Sequence, residues 1–561
     1  MQKMILLIAL FGVQIAFSQV PDWQWVRNMD LYFDTGRHCS AVDSNGDVIV
    51  ITDFRMPEIT FGNITLYNDS PSYYYADIAI VKYDSQGNVL WAKKYGGPKT
   101  DFSNAVATDA FGNFYISGGF NETIKLGSFT LTTFTVGTFI AKFDPNGDVI
   151  FAKKITEEGP GWATKIKTDT AGNVYLTGSF STPTITLGTI SATVEDFIDT
   201  QSSNRGYVAK MDSQGNYLWL KISQSNHRHF TGVLSYGLDI DTAGNVYNSG
   251  QFGCNTLRFG AITLTKTAVG DNNLNMYLVK YDPDGNELWA RNAGSNQNTA
   301  TNSRTVKTDL ENNVYAAGSF SNSINFDQTT LTSSGDSQQF IVKYDAGGNV
   351  LWAKNANAPA GYNAIYDLDT DENNNLYTAG VFNTTKMDFG NGVLLTNPSA
   401  PQGAVAVVRY TPQGEAVWGR KAFSLSWYNM VNIHCKSENE LYLSGCYNTS
   451  VMNFGDHTIT KSEESNNQFL AKLSFDPLTT TSWNTHNIKV YPNPVQHQLY
   501  MDHSEVFTTY TLYNVLGIKV ASGGIRLETG SINVGFLSKG VYLLQLSNSE
   551  SKSETIKIIK E

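Results

Sequence analysis

The stretch DTAGNVYLTGSF, Asp169 to Phe180, is one copy of a unit that returns along most of the chain. DSNGDVIV starts at Asp43, DAFGNFYISGGF at Asp109, DTAGNVYNSGQF at Asp241, DLENNVYAAGSF at Asp309 and DENNNLYTAGVF at Asp371; a degenerate copy, KSENELYLSGCY, starts at Lys436. Each opens with an aspartate that can cap a tight turn through its side chain. A glycine or asparagine then supplies the positive φ that a short hairpin needs. The residues that follow form a β-strand.

Two further marks lie downstream of each turn. One is an aromatic or leucine opening a short apolar stretch: FGNITL at Phe61, LGSFTL at Leu126, LGTISA at Leu187, FGAITL at Phe259, FDQTTL at Phe326, FGNGVL at Phe389 and FGDHTI at Phe454. The other is a strand pair around a second turn, as in VKYDSQGNVLWAK from Val81 and VKYDAGGNVLWAK from Val342. The repeat recurs about every 65 residues and holds four strand-like runs, A to D, which describes a propeller blade. The seventh unit lacks its Trp-bearing last strand. Trp25-Val26-Arg27-Asn28, near the N-terminus, repeats Trp289-Ala290-Arg291-Asn292 and supplies it. The expected fold is therefore all-β: a seven-bladed β-propeller whose N-terminal strand closes the last blade, followed by a small C-terminal β-sandwich. The strand-D aromatics Trp25, Trp91, Phe151, Trp219, Trp289, Trp352 and Trp418 recur in equivalent places, which suits packing between blades better than a ligand-stacking series.

The repeat marks D-x-x-G-N-V-Y and K-Y-D-x-x-G-N-x-L-W-A-K resemble the bacterial β-propeller family named for such repeats, over Val20 to Pro477. They are also similar to quinone-cofactor propeller repeats, but only at structural positions, which implies no cofactor. A polar linker, residues 479–486, separates a final segment, residues 487–561, from the propeller, residues 19–478. VYPNPVQHQLYM from Val490, YTLYNVLGIKV from Tyr510, INVGFLSKGVYLLQL from Ile532 and IKIIKE from Ile556 resemble the type A sorting domain of type IX secretion cargo. The landmarks are Tyr491, Pro492, Asn493, Pro494, Gly517, Gly540 and Tyr542. Where the family reads I-D-V-S-x-L, this chain has Ile532-Asn533-Val534-Gly535-Phe536-Leu537. The resemblance implies export, contact with the type IX secretion machinery, and release or attachment at the outer cell surface. Residues 1–18 read as a signal peptide, with Lys3, an apolar run from Met4 to Val13, and Ala16-Phe17-Ser18 before Gln19. No later stretch is apolar enough for a transmembrane segment.

A net charge of −11 without a basic stripe argues against a nucleic-acid partner. Cys39, Cys254, Cys435 and Cys446 contain no CxxC pair, and Cys435 and Cys446 are spaced too far along one hairpin to bond. With short A–B and C–D turns, the long D–A and B–C connections share one face, the expected ligand-binding face. Its candidates are Tyr32, Trp162, His227, His229, Phe230, Tyr362, Trp427 and Tyr428, aromatics suited to stacking sugar rings beside a single His-x-His. An isolated His-x-His is a poor zinc motif, and no metal site is expected. Asp43, Asn45 and Asp47, or Asp282, Asp284 and Asn286, have the alternating oxygens of a calcium loop but lack its glycine and terminal glutamate. Hairpin geometry explains them better, leaving room for one structural calcium at most. No catalytic residue is assigned, since neither GxSxG, a phosphate loop nor a local carboxylate pair is found. Carboxylates such as Asp34, Asp101, Glu157 and Glu158 could converge only through the fold. The reading leans to a non-catalytic module for a glycan or surface-protein ligand, without cofactor. A polysaccharide-active glycosidase or lyase and a structural envelope component stay open as alternatives.

Overall fold

The computed structural model describes residues 20–29, 38–70, 74–156, 161–195, 204–225, 232–267, 273–294, 301–334, 337–425, 431–461, 467–475, 490–501, 507–514, 519–525, 530–547 and 553–561. The chain divides into two compact units, Met1–Phe475 and Asp476–Glu561. The signal-peptide and linker readings lie outside the described residues.

The first unit repeats one antiparallel sheet. In its first copy His38–Val42, Val48–Phe54, Asp77–Tyr83 and Val89–Tyr95 pair in chain order, as strands A to D. The A strands are His38–Val42, Asp101–Thr108, Gly161–Thr168, Val233–Ile240, Thr301–Thr308, Asn363–Thr370 and Val431–Ser437. Each packs against the next, and the last returns to His38–Val42, so the sheets close around an axis. Asp22–Met29 forms the outer strand of the final sheet, paired with Asn467–Ser474 in a register that sets Trp25 opposite Lys472.

The core lies between successive sheets. Strands B and C, such as Val48–Phe54 and Asp77–Tyr83, are buried along their whole length because a neighbouring sheet covers each face. Ile49, Ile51 and Ile80 of the first sheet share a cluster with Phe114, Phe120, Phe139 and Phe143 of the second. Trp25, Tyr442 and Leu470 of the last sheet share one with Val48, Val50 and Val81 of the first, which seals the ring.

The short apolar stretch after strand B lies outside the four strands of each sheet. It is not a blade strand but a separate two-stranded hairpin in the B–C connection, as in Glu58–Phe61 with Ile64–Tyr67 and Ser323–Phe326 with Thr329–Thr332. In the second sheet the equivalent pair is continuous with Phe114–Leu126 and Phe129–Phe143. Its alternating pattern matched a strand because it is one; the partner is local, which alternation alone does not reveal.

The strand-D aromatics join one sheet to the C–D turn of the next. Trp289 Nε1 donates to the Ala346 carbonyl at 3.0 Å, and Trp219 Nε1 donates to the Pro283 carbonyl at 3.1 Å. The turn glycines Gly285 and Gly348 have φ of +84° and +82°. A Cβ on either would stand 2.9 Å from the indole in front of it, so glycine is needed for both conformation and approach. Two residues after Trp289, Arg291 Nε donates to the Gly348 carbonyl at 2.8 Å.

The turn aspartates are fully engaged. Asp43 Oδ1 accepts from the Asn45 and Asp47 amides at 2.9 and 3.0 Å, while Lys82 Nζ lies 2.9 Å from Asp43 Oδ2. Asp282 is bound by the Asp284 and Asn286 amides and by Asn286 Nδ2. Among the described residues no group of three or more His, Cys, Asp or Glu could hold a metal ion, and all four cysteines are free thiols.

The second unit holds two sheets. One pairs Val490–Tyr491, Gln498–Met501 and Ser531–Asn533; the other orders Lys519–Gly524, Thr509–Asn514, Gly540–Ser547 and Ser553–Lys560. Val495, Leu499, Leu512, Ile532, Leu544 and Ile558 form a core common to both. Asn493 binds the last strand twice, donating to the Lys557 carbonyl and accepting from the Ile559 amide, both at 2.8 Å. Tyr491 stacks on Tyr500 at 6.2 Å, and Tyr542 donates to the Ser538 carbonyl at 2.9 Å. Gly517 lies outside the described residues.

Candidate functional site

Five A strands carry a β-bulge at one repeated place. The register slips between Ser103 and Ala105, Ala163 and Lys165, Ser235 and Gly237, Ser303 and Thr305, and Ile365 and Asp367. The residues left unpaired are Asn104, Thr164, Tyr236, Arg304 and Tyr366, each five positions before the turn aspartate of its repeat. A bulge re-aims the side chain of its extra residue. All five line one cavity of about 440 Å³ together with Trp162, Ser179, Asn204 and Asn432.

Of the candidates read from the sequence, Trp162 lines this cavity, stacked on Phe102 at 5.5 Å. Tyr362 stands behind the wall, its hydroxyl 3.2 Å from that of Tyr366 and 3.5 Å from Arg304 Nη2. Tyr32, His227, His229, Phe230, Trp427 and Tyr428 lie outside the described residues, as do Asp34, Glu157 and Glu158. Tyr236, Arg304 and Tyr366 had not been singled out in the sequence. Their signal is the offset of five from the turn aspartate, where residue type changes from repeat to repeat while its neighbours keep a pattern.

Inside the mouth a second cavity of about 340 Å³ follows the axis, and Lys165 lines both. Alternate A-strand residues face it. Lys165 lies 3.5 Å from Asp367, Lys167 3.6 Å from Asp239, and Lys307 2.9 Å from Asp369. The carboxylates have further donors: Thr308 gives Asp239 two hydrogen bonds, the Ile433 amide binds Asp367, and the Cys435 amide binds Asp369. Burial works against the Asp367 charge, but Lys165 and its neighbours outweigh it and hold the carboxyl below its ordinary range. Burial drives His434 down to about 4, so it is neutral at physiological pH while it bonds the Ser40 hydroxyl at 2.9 Å. The channel is a self-paired polar network tying the A strands together.

Asp101 is not in the mouth wall. It is fully buried at the start of its A strand near Asp77, and both carboxylates stand against the space that a Cβ on Gly96 would take. Burial first, then the Asp77 charge, pushes the Asp101 carboxyl up to about 8. A carboxyl raised in the folded state contributes stability that is complete below the unfolded value near 4 and is lost as pH rises through about 8. Asp101→Asn is expected to leave the melting temperature at pH 4 unchanged and to raise it at pH 9, as followed by scanning calorimetry. A variant less stable than the parent at pH 9 would contradict this.

Residues 489–561 match the family described as the secretion system C-terminal sorting domain. The exported protein is a β-propeller repeat chain ending in a type IX sorting domain. An uncharacterized WD repeat-containing protein of Acanthamoeba polyphaga mimivirus is 23% identical over 443 residues, 67% of this chain. This chain spans only 32% of that protein's length. Among solved structures, Sqt1 from Chaetomium thermophilum aligns with a TM-score of 0.35 at 10% identity, covering 75% of this chain and 97% of its own. The Neurospora crassa Pan2 WD40 domain aligns at 0.32 and 11%, covering 67% and 90%. No helix among the described residues is long and apolar enough to cross a membrane. The sorting domain leads the chain to the secretion machinery and out of the cell.

Proposed function

We propose that the first unit is a closed seven-bladed propeller, secreted or held at the outer cell surface, that binds a glycan or a surface protein without altering it. In this reading residues 1–18 are removed, residues 479–486 link the propeller to the sorting domain, and residues 487–561 fold as a β-sandwich. The observation carrying the binding role is the mouth cavity, where Trp162, Tyr236 and Tyr366 bring aromatic surface beside the amides of Asn104, Asn204 and Asn432. Flat apolar rings beside fixed amide donors and acceptors suit a sugar, whose faces are apolar and whose edge is hydroxylated. The paired channel beneath offers fewer free groups.

Screening the full chain on a glycan array, with parallel assays for chain cleavage, tests this reading. Retention without new reducing ends or unsaturated products is expected, and Trp162→Ala should weaken it at least tenfold. Cleavage would replace the reading with a polysaccharide-active enzyme. Silence in both assays, with self-association instead, would favour an envelope component.

A further inference from the structure

We propose that the mouth cavity is selective for acidic sugars and that Arg304 receives the carboxylate, an inference that rests on the binding role given above. The cavity wall contains two cationic side chains, Arg304 and Lys165, and no carboxylate among its described residues. This is unusual in a chain of net charge −11, and the two cations differ. Lys165 faces Asp367 at 3.5 Å. Arg304 has no acidic partner among the described residues, and its Nε is buried without a hydrogen bond. Its guanidinium lies 4.5 Å over the Tyr366 ring, with Nη2 3.5 Å from the Tyr362 hydroxyl. Tyr366 and Tyr362 thus fix the plane of the guanidinium without neutralising it. A fork of donors held flat against an aromatic wall matches the bidentate geometry of a carboxylate. The β-bulge at Arg304 aims the side chain into the mouth instead of the sheet. Trp162 and Tyr236 can bear the ring of the same residue, with Asn432 lining the cavity beside them. A peptide carboxylate would use Arg304 alone, so a uronate is favoured over an acidic peptide.

Titration calorimetry on the full chain at low salt should compare trigalacturonate, its methyl ester and triglutamate. Trigalacturonate is expected to bind about tenfold or more tightly than the ester, with triglutamate weaker than both. Arg304→Gln should bring trigalacturonate to the affinity of the ester while leaving the ester's own affinity within about twofold. Equal binding of acid and ester, triglutamate binding as tightly as trigalacturonate, or an Arg304→Gln protein that keeps its acid preference would overturn the inference. If Arg304→Gln does not fold, the acid-to-ester ratio of the native chain decides alone. Ester binding without acid preference would sink this inference and spare the binding role; no saccharide binding at all would sink both.

Discussion

Lys343→Met is expected to cost the propeller about 3–5 kcal/mol, because it removes one partner of a buried ion pair and strands the other. Lys343 Nζ lies 2.9 Å from Asp309 Oδ2, with side chains 5% and 0% exposed. The ammonium also sits 4.8 Å over the Tyr315 ring and donates to the Pro412 carbonyl of the next sheet at 3.3 Å. Asp309 meanwhile caps its own turn, accepting from the Glu311 and Asn313 amides at 3.0 and 2.9 Å. The buried carboxylate left by the substitution keeps the Asn313 side-chain amide and the Tyr315 hydroxyl but loses its cation among the described residues. Replacing both partners, as Lys343→Met with Asp309→Asn, should recover most of the loss, since an asparagine oxygen can still cap the turn. Urea midpoints of the two variants, followed by tryptophan fluorescence, check this. A double variant as unstable as the single one would assign the loss to packing rather than charge.

Trp289→Ala is expected to lower stability by about 3 kcal/mol and the apparent melting temperature by about 3 °C for a unit of this size. The half-buried indole covers the seam between two sheets, 5.9 Å from Tyr247 and 6.5 Å from Tyr344, and its N–H is bonded across the gap. Its loss empties a site that the rigid turn at Gly348 cannot collapse into. Gly348→Val attacks the same contact from the other side and should act in the same direction, since the branched side chain meets both the indole and a φ of +82°. Hydrogen exchange localises the effect: amides in Glu287–Ala293 and Val350–Lys354 should lose protection before those of distant sheets. Uniform loss across the propeller would mean that the ring opens as one cooperative body.

The aromatic and glycine positions were legible in the sequence because they obey a local rule repeated in every unit. The Asp-x-x-Gly-Asn turn declares itself through side-chain capping and positive φ, and the Trp-x-Lys or Trp-x-Arg ending through its recurrence. The sorting domain was legible as a run of motifs, and Asn493 then proved to tie its Pro-Asn-Pro loop to the last strand. That the short apolar stretch after strand B forms a hairpin of its own was not legible, because an alternating segment does not say which neighbour it pairs with.

The mouth was legible only in small part. Trp162 could be proposed because a tryptophan in a long connection stands out, whereas Arg304, Tyr236 and Tyr366 sit inside strands whose neighbours look like ordinary A-strand sequence. What singles them out is a bulge, and a bulge is a property of the pairing between two strands. Asp101 shows the converse: a carboxylate at the start of a strand was counted towards the open face, yet packing placed it in the dry space near Asp77.

By itself, then, the amino-acid sequence determined the repeat, the turn chemistry, the spokes between sheets, the N-terminal strand that joins the last sheet, and the exported character written in residues 489–561. These depend on interactions within a few residues, or on a pattern repeated often enough to expose its role. Only the tertiary structure decided which side chains meet at the axis, that Lys165, Lys167 and Lys307 find Asp367, Asp239 and Asp369, and that Arg304 finds no acid among the described residues. Those partners come from A strands one to three repeats apart. Their meeting is set by ring closure and strand register, which no local stretch of sequence encodes.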